Sequence, residues 1–126
     1  MINAAEIHAA GDGVVVGNGI VELRIPECGS LKEKRGILSR ILKRTQNSFN
    51  VSIAEVGQND HLRRAVIGFS VVGNDRRYVN GKMDHILNFI EQFELAEVVG
   101  TKMEIVSMEH TMDARSYDEE GKYDGV

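Results

Sequence analysis

Between Ser30 and Thr45 the apolar side chains of Leu31, Ile37, Leu38, Ile41 and Leu42 recur at helical spacing, with Thr45 continuing the same stripe. Ser30, followed three residues later by Glu33, is a capping box that starts this helix. One stripe needs a second layer to bury it, and the flanking segments supply strands. Val14 to Ile25 is rich in β-branched residues and alternates, with Val21, Leu23 and Ile25 pointing one way and Ile20, Glu22 and Arg24 the other. Gly17 and Gly19 within it signal a bulge or a closely approached backbone. Residues 51–56 and 65–72 read as two further strands, joined by a polar connection. Asn74 and Asp75 offer a cap for a second helix that turns Val79, Met83, Ile86, Leu87, Ile90 and Phe93 inward. A last strand spans 97–108, with Val99, Met103 and Ile105 on one face.

The order β-α-β-β-α-β is the split βαβ pattern of ferredoxin-like α+β folds. It predicts a four-stranded antiparallel sheet with two helices on one face. The first and last strands become antiparallel neighbours. Glu22 and Arg24 are then expected opposite Lys102 and Glu104 as cross-strand charge pairs on the open face. Val66, Gly68, Ser70 and Val72 of the third strand share that partly apolar face.

At 126 residues the chain is expected to be one domain, able to bury roughly two thirds of its unfolded surface. Residues 1–13 are expected to be a loose extension, 14–108 the folded domain, and 109–126 an acidic mobile tail. No apolar run approaches the ~20 residues of a membrane span. The first residues lack the cationic start and apolar stretch of a secretory signal. The single cysteine rules out an internal disulfide and suits a cytoplasmic location. The net charge of −4 is unevenly placed. Residues 1–106 hold 13 Lys/Arg against 13 Asp/Glu, and the remainder holds two bases against six acids.

Six cations and one anion lie between Lys32 and Arg44. Lys32, Lys34 and Arg35 crowd the first turn, where the helix dipole disfavours positive charge. Lys34 falls inside the apolar stripe and is expected to snorkel past Leu31 and Leu38 to the sheet edge. Lys32, Gly36, Ser39 and Lys43 form the solvent face, with Arg40 beside them and Arg35 and Arg44 flanking the stripe. Gly36 would let a partner's backbone come close. An anion over the amides after Gly29 and Ser30 would relieve the unfavourable charge. Arg63 and Arg64 are expected at the Ser30 end, and Arg76 and Arg77 at the other, near Lys43 and Arg44. That makes the helical layer basic at both ends. The acidic tail leaves the last strand near Arg76 and Arg77. The open face has no aromatic platform for stacking bases, because Phe69, Tyr78 and Phe89 fit core or helix positions.

Catalytic chemistry is not expected. Cys28 precedes a helix N-terminus and has Lys32 nearby, but no histidine is placed beside it as a base. His8, His61, His85 and His110 lack metal-ligand spacing. The glycines at 11, 13, 17 and 19 do not open a helix, so they are no phosphate loop. No cofactor motif is present.

The runs Glu22-Leu23-Arg24-Ile25-Pro26, Ser30-Leu31-Lys32-Glu33-Lys34-Arg35 and Phe49 to Gly57 resemble the YlxP-like family of bacterial proteins. Asn74-Asp75-Arg76 and Asn88-Phe89-Ile90-Glu91 do so too. The resemblance covers roughly residues 14–106. It implies a ferredoxin-like domain of unknown function and, through genes that neighbour those of translation initiation and ribosome maturation factors, a ribosome-linked role. It brings no catalytic residues with it. The leading expectation is a small non-enzymatic RNA- or ribosome-associated protein. Its binding residues would be Ser30, Lys32, Lys34, Arg35, Arg40, Lys43, Arg63, Arg64, Arg76 and Arg77. The alternatives are a homo-oligomeric module, such as a homodimer, pairing through the open sheet face or an edge strand, and an anion- or phosphometabolite-binding domain at the helix N-terminus.

Overall fold

The structure, a computed structural model, describes residues 13–109. The chain runs through β1 (Gly13–Arg24), α1 (Leu31–Ser48), β2 (Ser52–Gly57), β3 (Arg64–Gly73), α2 (Arg76–Glu91) and β4 (Glu97–Glu109). The strands form one sheet in the order β2-β3-β1-β4, every neighbouring pair antiparallel. With both helices on one face, this is the ferredoxin-like α+β fold that the element order predicts. Among the described residues no helix is long and apolar enough to cross a membrane. The expected extension and tail lie outside the described residues except for Gly13 and Glu109, which pair with each other across β1 and β4.

Strand alternation sets the core. Val21, Leu23, Ala65, Ile67, Phe69 and Val71 are buried, and between them they line the helix-facing side of β1 and β3. Leu38 and Ile41 of α1, and Val79, Met83, Ile86, Leu87 and Ile90 of α2, cover that side. Leu31 departs from its expected place in the stripe. It opens α1 at 38% exposure, while Lys34 of the same turn is buried.

Gly17 and Gly19 are sites of close approach, and neither is bulged. A Cβ on Gly17 would overlap Met83 Sδ and lie 2.7 Å from Val79 Cγ1, and one on Gly19 would overlap the Phe69 ring. The bulge sits elsewhere, where the β1–β4 register shifts between Glu22 and Leu23. It brings Val98, not Val99, opposite Leu23 and against the core. The register also departs from the expected charge pairs. Glu22 faces Gly100, Arg24 faces Glu97, and Lys102 and Glu104 face Ile20 and Asn18. The ion pair that forms is Arg24 to Glu97, at 2.8 Å.

Candidate nucleic-acid interface

The start of α1 is capped by its own side chains. Ser30 is extended (φ −157°, ψ 160°), and its hydroxyl accepts from the Glu33 amide at 3.1 Å. The Glu33 carboxylate accepts from the Gly29 amide at 3.3 Å, one residue ahead of the usual capping-box partner. The negative charge that the dipole favours is therefore already in place, supplied by Glu33.

Lys34 does not snorkel. It is 2% exposed. Its ammonium donates to the carbonyl oxygens of Gln58 at 2.7 Å and His61 at 2.6 Å, and it lies 3.3 Å from Glu55 Oε2. The loop between β2 and β3 turns here, with Gln58 in the left-handed region at φ 58°. That conformation costs a non-glycine residue about 1–2 kcal/mol. Its carbonyls have left the strand ladder, and the lysine answers them. The cation that looked most out of place is a structural latch, and its charge is withdrawn from any surface ligand.

The remaining cations divide into three groups. Lys32, Arg35, Arg40 and Lys43 are exposed on the outer side of α1. Within this row, an added Cβ on Gly36 would meet nothing within 4 Å. From Lys32 to Lys43 the row spans roughly 17 Å of helix. Arg63 joins it at the Ser30 end, where its Nε donates to the Cys28 carbonyl at 3.1 Å. Among the described residues no carboxylate comes within ion-pair distance of these five.

Arg64 does not share that surface. It pairs in register with Arg24 and alternates with buried Ala65, which puts it on the open face. Arg76 and Arg77 are also separate. Arg44 lies over the Phe93 ring at 5.8 Å, just past the C-terminus of α2, whereas Arg76 begins that helix. The 16 residues of α2 put roughly 24 Å between the two ends. The expected closeness of Arg76 and Arg77 to Lys43 and Arg44 is therefore corrected: the basic surface is a row along α1 with an outlying pair. Arg76 donates to Ser107 Oγ of β4 at 2.9 Å, which brings the end of the last strand beside it, while the tail itself lies outside the described residues. Cys28 is fully buried, and its thiol donates to the Ser30 carbonyl at 3.2 Å. His85 is exposed on α2.

The pattern of cations did not disclose a groove of about 500 Å³ between the middle of α1 and the end of α2. Ile37, Ile41, Phe89 and Phe93 form its floor, and Arg40 and Arg44 stand on the α1 wall. Phe49, Phe89 and Phe93 make successive edge-to-face contacts at 5.5 and 5.6 Å. The spacing of Phe89 and Phe93, four apart in sequence, was the available signal, although α2 ends at Glu91 and Phe93 follows its C-cap Gln92.

A family model described as "Protein of unknown function (DUF503)" matches residues 16–103. The "Uncharacterized protein YlxP" of Bacillus subtilis (strain 168) is 40% identical over 90 residues, covering 71% of this chain and 98% of that protein. Among solved structures, a C-terminal segment of the alpha subunit of aIF2 from Pyrococcus abyssi is similar with a TM-score of 0.43 and 15% identity, over 79% of this chain and 53% of that one. A dimeric ferredoxin-like protein from an uncultured marine organism is similar with a TM-score of 0.38 and 9% identity, over 79% and 98%.

Proposed function

The chain belongs to the DUF503 family, and we propose that it is a small, non-enzymatic RNA- or ribosome-associated protein of the cytoplasm that holds an RNA backbone on the outer side of α1. The observation that carries this reading is the row Lys32, Arg35, Arg40 and Lys43, exposed and with no carboxylate at ion-pair distance among the described residues. Uncompensated cations at one surface raise the local concentration of a polyanion and release its counterions on contact. Four phosphate contacts on single-stranded RNA give a log-log salt slope of about −3. Capping by Ser30 and Glu33, with Lys34 turned inward, leaves the helix N-terminus little to offer a small phosphometabolite.

Co-sedimentation with ribosomal subunits and binding to single-stranded RNA, each across a salt series, test the proposal. Binding at low salt that weakens with this slope, and that is lost in Lys32→Glu with Lys43→Glu, supports it. No binding at low salt, or binding indifferent to the double substitution, overturns it.

A second reading concerns the open sheet face and leaves α1 free. Val72, Val16 and Val106 form one row across β3, β1 and β4, and Val14 and Met108 form the next. Val72 is 64% exposed and Met108 66%. A four-stranded face ten residues long measures roughly 19 by 34 Å. Two such faces together present about 1,300 Å², above the ~1,000 Å² of total buried area that a stable interface needs. The partner of this surface is then a second copy of the chain.

A further inference from the structure

We propose that the groove between α1 and α2 receives one unpaired base of the bound RNA. This rests on the reading of α1 as the RNA-binding row and extends it from backbone contact to base recognition. Three features favour this occupant.

The first is the pairing of an arginine with an aromatic ring. The Arg44 guanidinium lies over the Phe93 ring, 5.8 Å from its centroid. Both side chains line the groove. Arginine planes and aromatic rings are the usual platforms for splayed bases.

The second is polarity. Within the groove the cations Arg40 and Arg44 stand on the α1 side, and Glu94 stands on the side that follows α2. Arg40 lies next to Lys43 along the exposed row, so a phosphate held there belongs to the same nucleotide or its neighbour. Glu94 disfavours a phosphate inside and accepts N–H groups from a base edge. The nucleotide therefore enters base first, and guanine is favoured because it offers two adjacent N–H donors to one carboxylate.

The third is size and lining. About 500 Å³ over Ile37, Ile41 and Phe89 exceeds what one base requires and gives its faces apolar contact.

The test uses the full chain and three uridine-rich single-stranded RNAs of equal length. One carries a central guanine, one a uracil and one an abasic site at that position, and affinity is read by fluorescence anisotropy. The guanine RNA is expected to bind at least fivefold more tightly than the abasic one. Arg44→Lys, which keeps the charge and removes the plane, should erase most of that ratio while keeping the salt slope. Glu94→Gln, at an exposed position, should narrow the gap between guanine and uracil. Equal affinity for all three RNAs with an intact salt slope overturns the groove and leaves the α1 row standing. No RNA binding at low salt overturns both. If the three RNAs bind alike and Arg44→Lys instead changes the oligomeric state, the groove takes a second copy of the chain, and the base-binding proposal is wrong.

Discussion

The ammonium of Lys34 donates to the carbonyl oxygen of His61 at 2.6 Å, joining α1 to the loop between β2 and β3. The same ammonium bonds Gln58 O and sits beside Glu55, whose Oε2 is buried and makes no hydrogen bond of its own. Lys34→Ala would strand two carbonyls and a carboxylate oxygen at once. The Glu55 side chain keeps 23% of its surface, so the loss falls at the lower end of the range for a broken buried pair, about 3 kcal/mol. Urea unfolding should show a lower midpoint with an unchanged slope. The salt slope of RNA binding should stay as it was, because this charge never reaches the ligand. A stable variant whose salt slope falls by one would mean the ammonium points to solvent.

Gly17 and Gly36 should respond to alanine with opposite signs. At Gly17 the new methyl meets Val79 and Met83 across the sheet–helix interface, and overpacking of this kind costs about 1–3 kcal/mol. At Gly36 it meets open space on an exposed helix face, and the gain in helix propensity is about 1 kcal/mol. Thermal unfolding of the two variants checks both signs. If Gly36→Ala raises stability and weakens RNA binding, the glycine serves the close approach of a partner.

The fold was legible because its signals are local. The stripe from Leu38 to Thr45, the Ser30 cap and the alternation of Val21 and Leu23 each depend on residues a few positions apart. Lys34 was legible as an anomaly, but its explanation was not. Its acceptors lie 24 and 27 residues away, in a loop that no periodicity describes. The charge pairs failed for a related reason. The β1–β4 register sets Lys102 opposite Ile20 and Gly100 opposite Glu22, one bulge then moves the partner of Arg24 to Glu97, and neither offset leaves a mark in the alternation of either strand. The α1 row was readable from a helical wheel. Its separation from Arg76 was not, because that depends on how far the two helices slide past each other.

The Arg24–Glu97 pair should contribute little. Both side chains are about half exposed, and surface pairs of this kind are worth about 0.2–1 kcal/mol. Glu97→Gln should therefore shift the unfolding midpoint only slightly, and the shift should vanish in high salt. A larger, salt-independent loss would show that Glu97 acts by holding the start of β4 in place beside the bulge.

The open sheet face gives the last prediction. Val72, 64% exposed, stands beside Val16 and, across β1, Val106. Apolar rows of this extent on one face favour association because pairing removes them from water at about 25 cal/mol per Å². Charge placed in the row should oppose it. Light scattering across a concentration series is expected to show a dimer for the parent chain and a monomer for Val72→Asp. Val72 is already solvent-facing, so the variant should fold as before, with the same far-ultraviolet circular dichroism. The salt slope of RNA binding should be unchanged, since α1 lies on the opposite side of the sheet. A parent chain that stays monomeric at high concentration would remove the sheet-paired dimer and leave the α1 reading untouched.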